Sequence, residues 1–233
     1  MQQGHIKKIL FLTLFFLKMS STVWSQGNLP YIDEKTWHFG FSLGLNTLDF
    51  GIKPSELNIN GEIYDAAVST LKPGFSVGII TDLRLNRYLN LRFTPTLHFG
   101  ERQLIYKSSV KDTLTITSAL VCIPFHLKYS AERKGNYRPY LLLGGGSYLD
   151  FGRNKDNPVL LQPLDFYTEF GVGCDIYFSF FKLCPELKYA IGFNDMLTPI
   201  SERDAGNITG KEKFTNALSK LTSRMVTLTF NFE

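Results

Sequence analysis

The sequence predicts an all-β protein, an eight-stranded antiparallel transmembrane β-barrel, on three observations. Apolar residues recur with period two in eight successive segments, the compositional excess lies in Gly (19), Phe (20) and Tyr (11), and compact connections alternate with long polar ones. Period two is the side-chain repeat of a strand, and aromatic residues favour strands. Short turns at one end with long loops at the other are the pattern of an outer-membrane barrel. The chain has 233 residues, enough for one domain of moderate size. At 20% charged and 14% aromatic it is too apolar for a disordered chain.

The first element is a targeting segment. His5, Lys7 and Lys8 precede the apolar run Ile9 to Leu17, and Val23-Trp24-Ser25 offers small-residue cleavage chemistry between Ser25 and Gln26. The run is far shorter than the roughly 20 apolar residues of a membrane-spanning helix. Residues 1–25 therefore read as a cleaved signal peptide, and 26–233 as the exported barrel domain. That segment also holds Lys7, Lys8 and Lys18 and no acid, so the remainder is close to neutral despite the formal +4. No basic surface for nucleic acid follows from that balance.

The strands then come in order. Phe39, Phe41, Leu43 and Leu45 alternate with Gly40, Ser42, Gly44 and Asn46. Phe75, Val77 and Ile79 alternate with Ser76 and Gly78, and Leu91, Phe93, Leu97 and Phe99 with Arg92, Thr94, Thr96 and His98. In the fourth, Ala119 to Tyr129 opposes Cys122, His126 and Lys128; the fifth runs from Arg138 through Gly144-Gly145-Gly146 to Phe151. Phe166 to Phe178, Phe181 to Ile191 and Val226 to Phe232 complete the eight. Pro95, Pro124 and Pro185 interrupt strands, where a bulge is expected. Cys174 and Cys184 fall on opposite faces of a hairpin, so Cys122, Cys174 and Cys184 are expected to pack as free thiols.

The connections set the topology. Asn86 to Asn90, Ser130 to Tyr137 and Ser179-Phe180 are compact, whereas Gly51 to Lys72, Gly152 to Pro163 and Asn194 to Ser223 are long. Both termini then lie on the periplasmic side. Protease added to intact cells is expected to cut within Gly51 to Lys72 or Asn194 to Ser223. Cleavage confined to Asn86–Asn90 and Ser130–Tyr137 would reverse the topology.

Alternation alone does not say which face is inside. The polar set is rich in Gly, Ser, Thr and Asn rather than in solvated Lys and Glu, which suits a crowded lumen. Its charges carry both signs: Asp82, Arg84, Arg92, Lys128, Glu169, Asp175, Lys182, Glu186 and Lys188. Paired inside a barrel they satisfy one another; unpaired, each is costly. The expected barrel is therefore polar inside and apolar towards lipid, and its location is the cell outer membrane.

No catalytic, cofactor or metal constellation stands out. His38, His98 and His126 sit on the polar faces of strands with no triad spacing. Gly144-Gly145-Gly146 lacks the Lys-Ser/Thr of a phosphate loop and is expected to permit close strand approach. Glu169 and Asp175 lie too far apart along one strand for glycoside hydrolysis. The chain reads as a non-enzyme without cofactor or metal; a lipid-modifying rim enzyme and a passive porin are the competing readings. Phe214, Leu218 and Leu221 in the last connection have helical spacing, so a short amphipathic helix is expected there, as a self-packed lid or a partner surface.

Several stretches resemble the PorT (SprT) family of Bacteroidetes outer-membrane barrels. These are His38 to Phe50, Asn136-Tyr137-Arg138-Pro139-Tyr140, Gly171 to Phe178 continuing into Pro185-Glu186-Leu187-Lys188-Tyr189, and the ending Leu228 to Glu233. Where relatives often carry an acid, this chain has Cys122 before Ile123-Pro124. The resemblance implies a role in type IX protein secretion, with outer-membrane lipid and other secretion components as partners. Because the interior of an eight-stranded barrel is just filled by its own side chains, that role is an accessory or assembly one, with the conduit elsewhere.

Overall fold

A computed structural model describes residues 28–54, 58–59, 62–63, 65–68, 72–107, 111–152, 161–198 and 218–233. The signal segment 1–25, its junction at Ser25 and Gln26, and Phe214 lie outside them. A single 3-10 turn, Ile32–Glu34, leads into the strands. They are β1 (Trp37–Pro54), β2 (Asn58–Ile59), β3 (Glu62–Ile63), β4 (Asp65–Val68), β5 (Pro73–Arg84), β6 (Leu89–Phe93) and β7 (Thr96–Lys107). After these come β8 (Lys111–Ser130), β9 (Tyr137–Asp150), β10 (Leu164–Tyr177), β11 (Lys182–Gly192) and β12 (Leu218–Phe232).

Eight antiparallel staves close into a ring, because β1 pairs with β12 on one side and with β5 on the other. The third stave is β6 and β7 together, divided at Thr94-Pro95. β4 adds to β7 above the ring, and β2 pairs with β3 alone.

The expected bulges at the prolines do not occur. Phe93↔Phe125 and Thr96↔Cys122 keep one register across Pro95 and Pro124, and Pro185 pairs with Phe230 in an unbroken ladder. A proline removes only its own N–H from an antiparallel ladder. Its carbonyl still serves: Pro95 accepts from Ile79 N–H at 3.1 Å, and Pro124 from Thr94 N–H at 3.5 Å.

The staves invert their facing halfway up. In the lower part the outward residues are apolar, as with Phe41, Leu43, Leu45, Val77, Leu127, Leu141 and Leu228, and the inward ones polar. Higher up, the outward residues become Asp49 on β1, Glu101 and Gln103 on β7, Thr115 and Thr117 on β8, and Arg224 on β12. At that level the inward residues turn apolar: Leu48, Phe50, Leu104, Ile116, Leu120, Leu218, Leu221 and Met225. Lipid outside demands an apolar exterior. Once the wall rises into water, ordinary burial applies and the apolar side turns inward.

This inversion corrects the amphipathic-helix expectation. Leu218 and Leu221 belong to β12, are buried, and line the upper interior. Their separation of three reflects a register shift opposite Lys53/Pro54, where Lys220 pairs with Lys53 and Leu218 with Pro54. The extra residue of a bulge turns a spacing of two into three. The two leucines are therefore covered by the barrel itself, and the long connections are shortened at their far ends by strand.

Candidate functional site

Among the described residues the interior is where charge is concentrated away from water, and it is built from inward positions of seven staves. Arg92 on β6 is its hub. Its Nε donates to Asp82 at 2.9 Å, Nη1 to Glu186, and Nη2 to Glu233 at 2.7 Å. Asp82 also accepts from Asn90 Nδ2, and Glu186 from the Tyr140 hydroxyl, both at 2.7 Å. Lys182 reaches Glu233 at 2.7 Å. Lys128 donates to both oxygens of Asp175, at 2.9 and 2.8 Å, with its ammonium 4.0 Å from the centre of the Tyr140 ring. Above these, Glu169 holds His126 at 2.5 Å and Lys188 at 3.6 Å.

Eight of the nine charges expected in the lumen therefore meet there in opposite-sign pairs. Arg84 does not. It is half-buried near the short-turn end of β5 and enters no ion pair among the described residues. Glu233 and Tyr140 join the network without having been singled out from the sequence. Both follow from parity: Glu233 continues the inward series Thr227, Thr229, Asn231, and Tyr140 lies between Arg138 and Leu142 on the inward face.

His38, His98 and His126 are all buried in the interior. His126 is engaged by Glu169, and His38 Nε2 donates to the Ile32 carbonyl at 2.7 Å. All three cysteines are free, with Cys122 and Cys184 buried. No group of His, Cys, Asp and Glu among the described residues has metal-binding geometry.

Each end of the lumen is covered. At the short-turn end, residues 28–36 lie across the barrel. Asp33 accepts from the Tyr177 hydroxyl at 2.7 Å and sits 3.6 and 3.4 Å from Arg133 and Arg138. The Arg133 guanidinium stacks 3.6 Å over the Tyr177 ring and donates to the Asn28 and Leu29 carbonyls. At the long-loop end the interior is the apolar cluster, joined by Leu161, Met196 and Leu197 from connecting segments. Within that cluster, a cavity of about 10 Å³ lined by Leu120, Tyr148, Tyr167 and Met225 has room for about one water.

One buried cation has no acceptor among the described residues. Arg102 on β7 is 1% exposed within the apolar upper interior, and its Nε, Nη1 and Nη2 have no hydrogen-bond partner among the described residues. An uncompensated buried charge costs several kcal/mol. The Phe50 ring, 4.6 Å away, offsets only part of that.

The sequence matches the family described as "Outer membrane protein beta-barrel domain" over residues 24–198. Among solved structures, the outer membrane protein OprG from Pseudomonas aeruginosa aligns with a TM-score of 0.49 and 14% identity, over 89% of this chain and 95% of that one. No curated protein matches the chain.

Proposed function

Since the chain belongs to the outer-membrane protein β-barrel domain family, we propose that it is a non-conducting, non-enzymatic barrel serving as an accessory or assembly component of type IX protein secretion. The observation that carries the non-conducting part is the filled lumen. The Arg92 network, the strap of residues 28–36 and the apolar cluster occupy its whole height, as expected of eight strands. The non-enzymatic part is supported by the occupation of His38 and His126 by a carbonyl and a carboxylate. The secretion part rests on the PorT-like stretches, among them Asn136 to Tyr140 and Leu228 to Glu233. Its partners are outer-membrane lipid along the apolar exterior and other secretion components.

A deletion strain is expected to accumulate unprocessed type IX cargo in the periplasm, while the purified barrel gives no conductance in planar bilayers. Normal cargo export in the deletion strain would defeat the secretion role. Steady conductance would replace it with a passive porin.

A further inference from the structure

The upper interior is assembled like the core of a water-soluble protein, and Arg102 is the residue that does not belong in such a core. It lies above the lipid level, since its neighbours Glu101 and Gln103 point outward where the wall has turned polar. Its surroundings are Phe50 and the apolar cluster around Leu104 and Ile116. Acids are present at this end but are engaged elsewhere. Asp150 accepts from the Ala119 and Gly152 amides, Asp165 from the Phe166 and Asn194 amides and the Tyr148 hydroxyl, and Asp195 from the Leu197 and Leu221 amides. Each carboxylate thus spends itself on backbone N–H groups, and the guanidinium keeps its donors free.

A guanidinium is always charged and presents its donors in a planar fork that fits a carboxylate or phosphate with two parallel bonds. We propose that Arg102 anchors a binding site for the oxyanion of a small amphiphile, a carboxylate or phosphate group whose apolar chain packs against the upper interior. The walls around Arg102 are mainly apolar, with Phe50, Leu104 and Ile116 among them, and this favours an occupant with an apolar chain over a free anion. Leu161 and Leu197, which meet in an isolated bridge between connecting segments rather than in the ring, are the side chains that must move aside to admit the chain. The inference is independent of the secretion role, because it concerns binding by the purified protein.

The test uses the mature chain, refolded in non-ionic micelles and checked for the folded band on unheated gels. Binding of dodecanoate, dodecanol and inorganic phosphate is read by native mass spectrometry and by the thermal midpoint. Dodecanoate is expected to form a one-to-one complex, dodecanol none, and Arg102→Gln to weaken dodecanoate binding by about ten- to a hundredfold, the worth of a charge-assisted hydrogen bond. Binding of phosphate alone, lost in Arg102→Gln, would keep the oxyanion site and identify its source as a free anion. Failure of both anions to bind, or equal binding of dodecanoate by Arg102→Gln, would overturn the proposal. Should that variant not fold, equal binding of dodecanol and dodecanoate by the unaltered protein overturns it as well.

Discussion

Replacing Arg92 by Met is expected to destabilise the folded barrel by about 3–5 kcal/mol, the cost of leaving a buried charge without its partner. Three carboxylates, Asp82, Glu186 and Glu233, converge on this one guanidinium, and all four groups are buried. Removing it leaves two or three buried anions facing one another in the lumen. Lys182 still covers one side of Glu233, so the loss falls mainly on Asp82 and Glu186. Urea unfolding in lipid vesicles, followed by the folded band on unheated gels, reads the effect directly. The further substitutions Asp82→Asn and Glu186→Gln are expected to restore most of the stability, because they neutralise the two acids that lost their partner while Glu233 keeps Lys182. An unchanged midpoint for Arg92→Met would mean that water reaches these acids and that the lumen is not sealed.

Gly144→Val is expected to cost at least about 3 kcal/mol, the upper end of what overpacking a well-filled interior does, and to leave little folded barrel. A Cβ on Gly144 would stand 2.0 Å from the Phe125 carbonyl oxygen and 2.7 Å from His126 Cα. Gly146 is as confined, 2.3 Å from the Ile123 carbonyl oxygen. The obstruction is backbone, which cannot swing aside as a side chain can. These glycines let β9 press against β8 beside Pro124, which pairs with Gly146. Leu143→Val, on the lipid-facing side of the same stave, serves as the control and is expected to fold normally. Normal yield of folded Gly144→Val would show that β8 and β9 separate readily.

Most of the wall was legible in the sequence because a strand in a barrel obeys one rule, inside and outside alternating residue by residue. That rule placed Asp82, Arg92, Lys128, Glu169, Asp175, Lys182, Glu186 and Lys188 on one face before any partner was known. It failed where the environment outside the wall changes from lipid to water. Leu218 and Leu221 are apolar and inward in the upper barrel, whereas Leu43 and Leu228 are apolar and outward in the lower one. A residue type alone does not say which solvent its opposite face meets. The bulge at Ser219 and Lys220 then broke the period and gave β12 the look of a helix.

What the sequence determined by itself is the all-β fold, the eight staves, the short-turn and long-loop ends, and the sign and face of the lumen charges. All of these depend on local chemistry and period. What only the tertiary structure decided is which charges meet, that Glu233 and Tyr140 complete the Arg92 cluster, that residues 28–36 strap the lower mouth, and that Arg102 has no partner among the described residues. Those contacts join residues as far apart as Arg92 and Glu233. The shear and closure of the ring bring them to one level, and no spacing along the chain records that height.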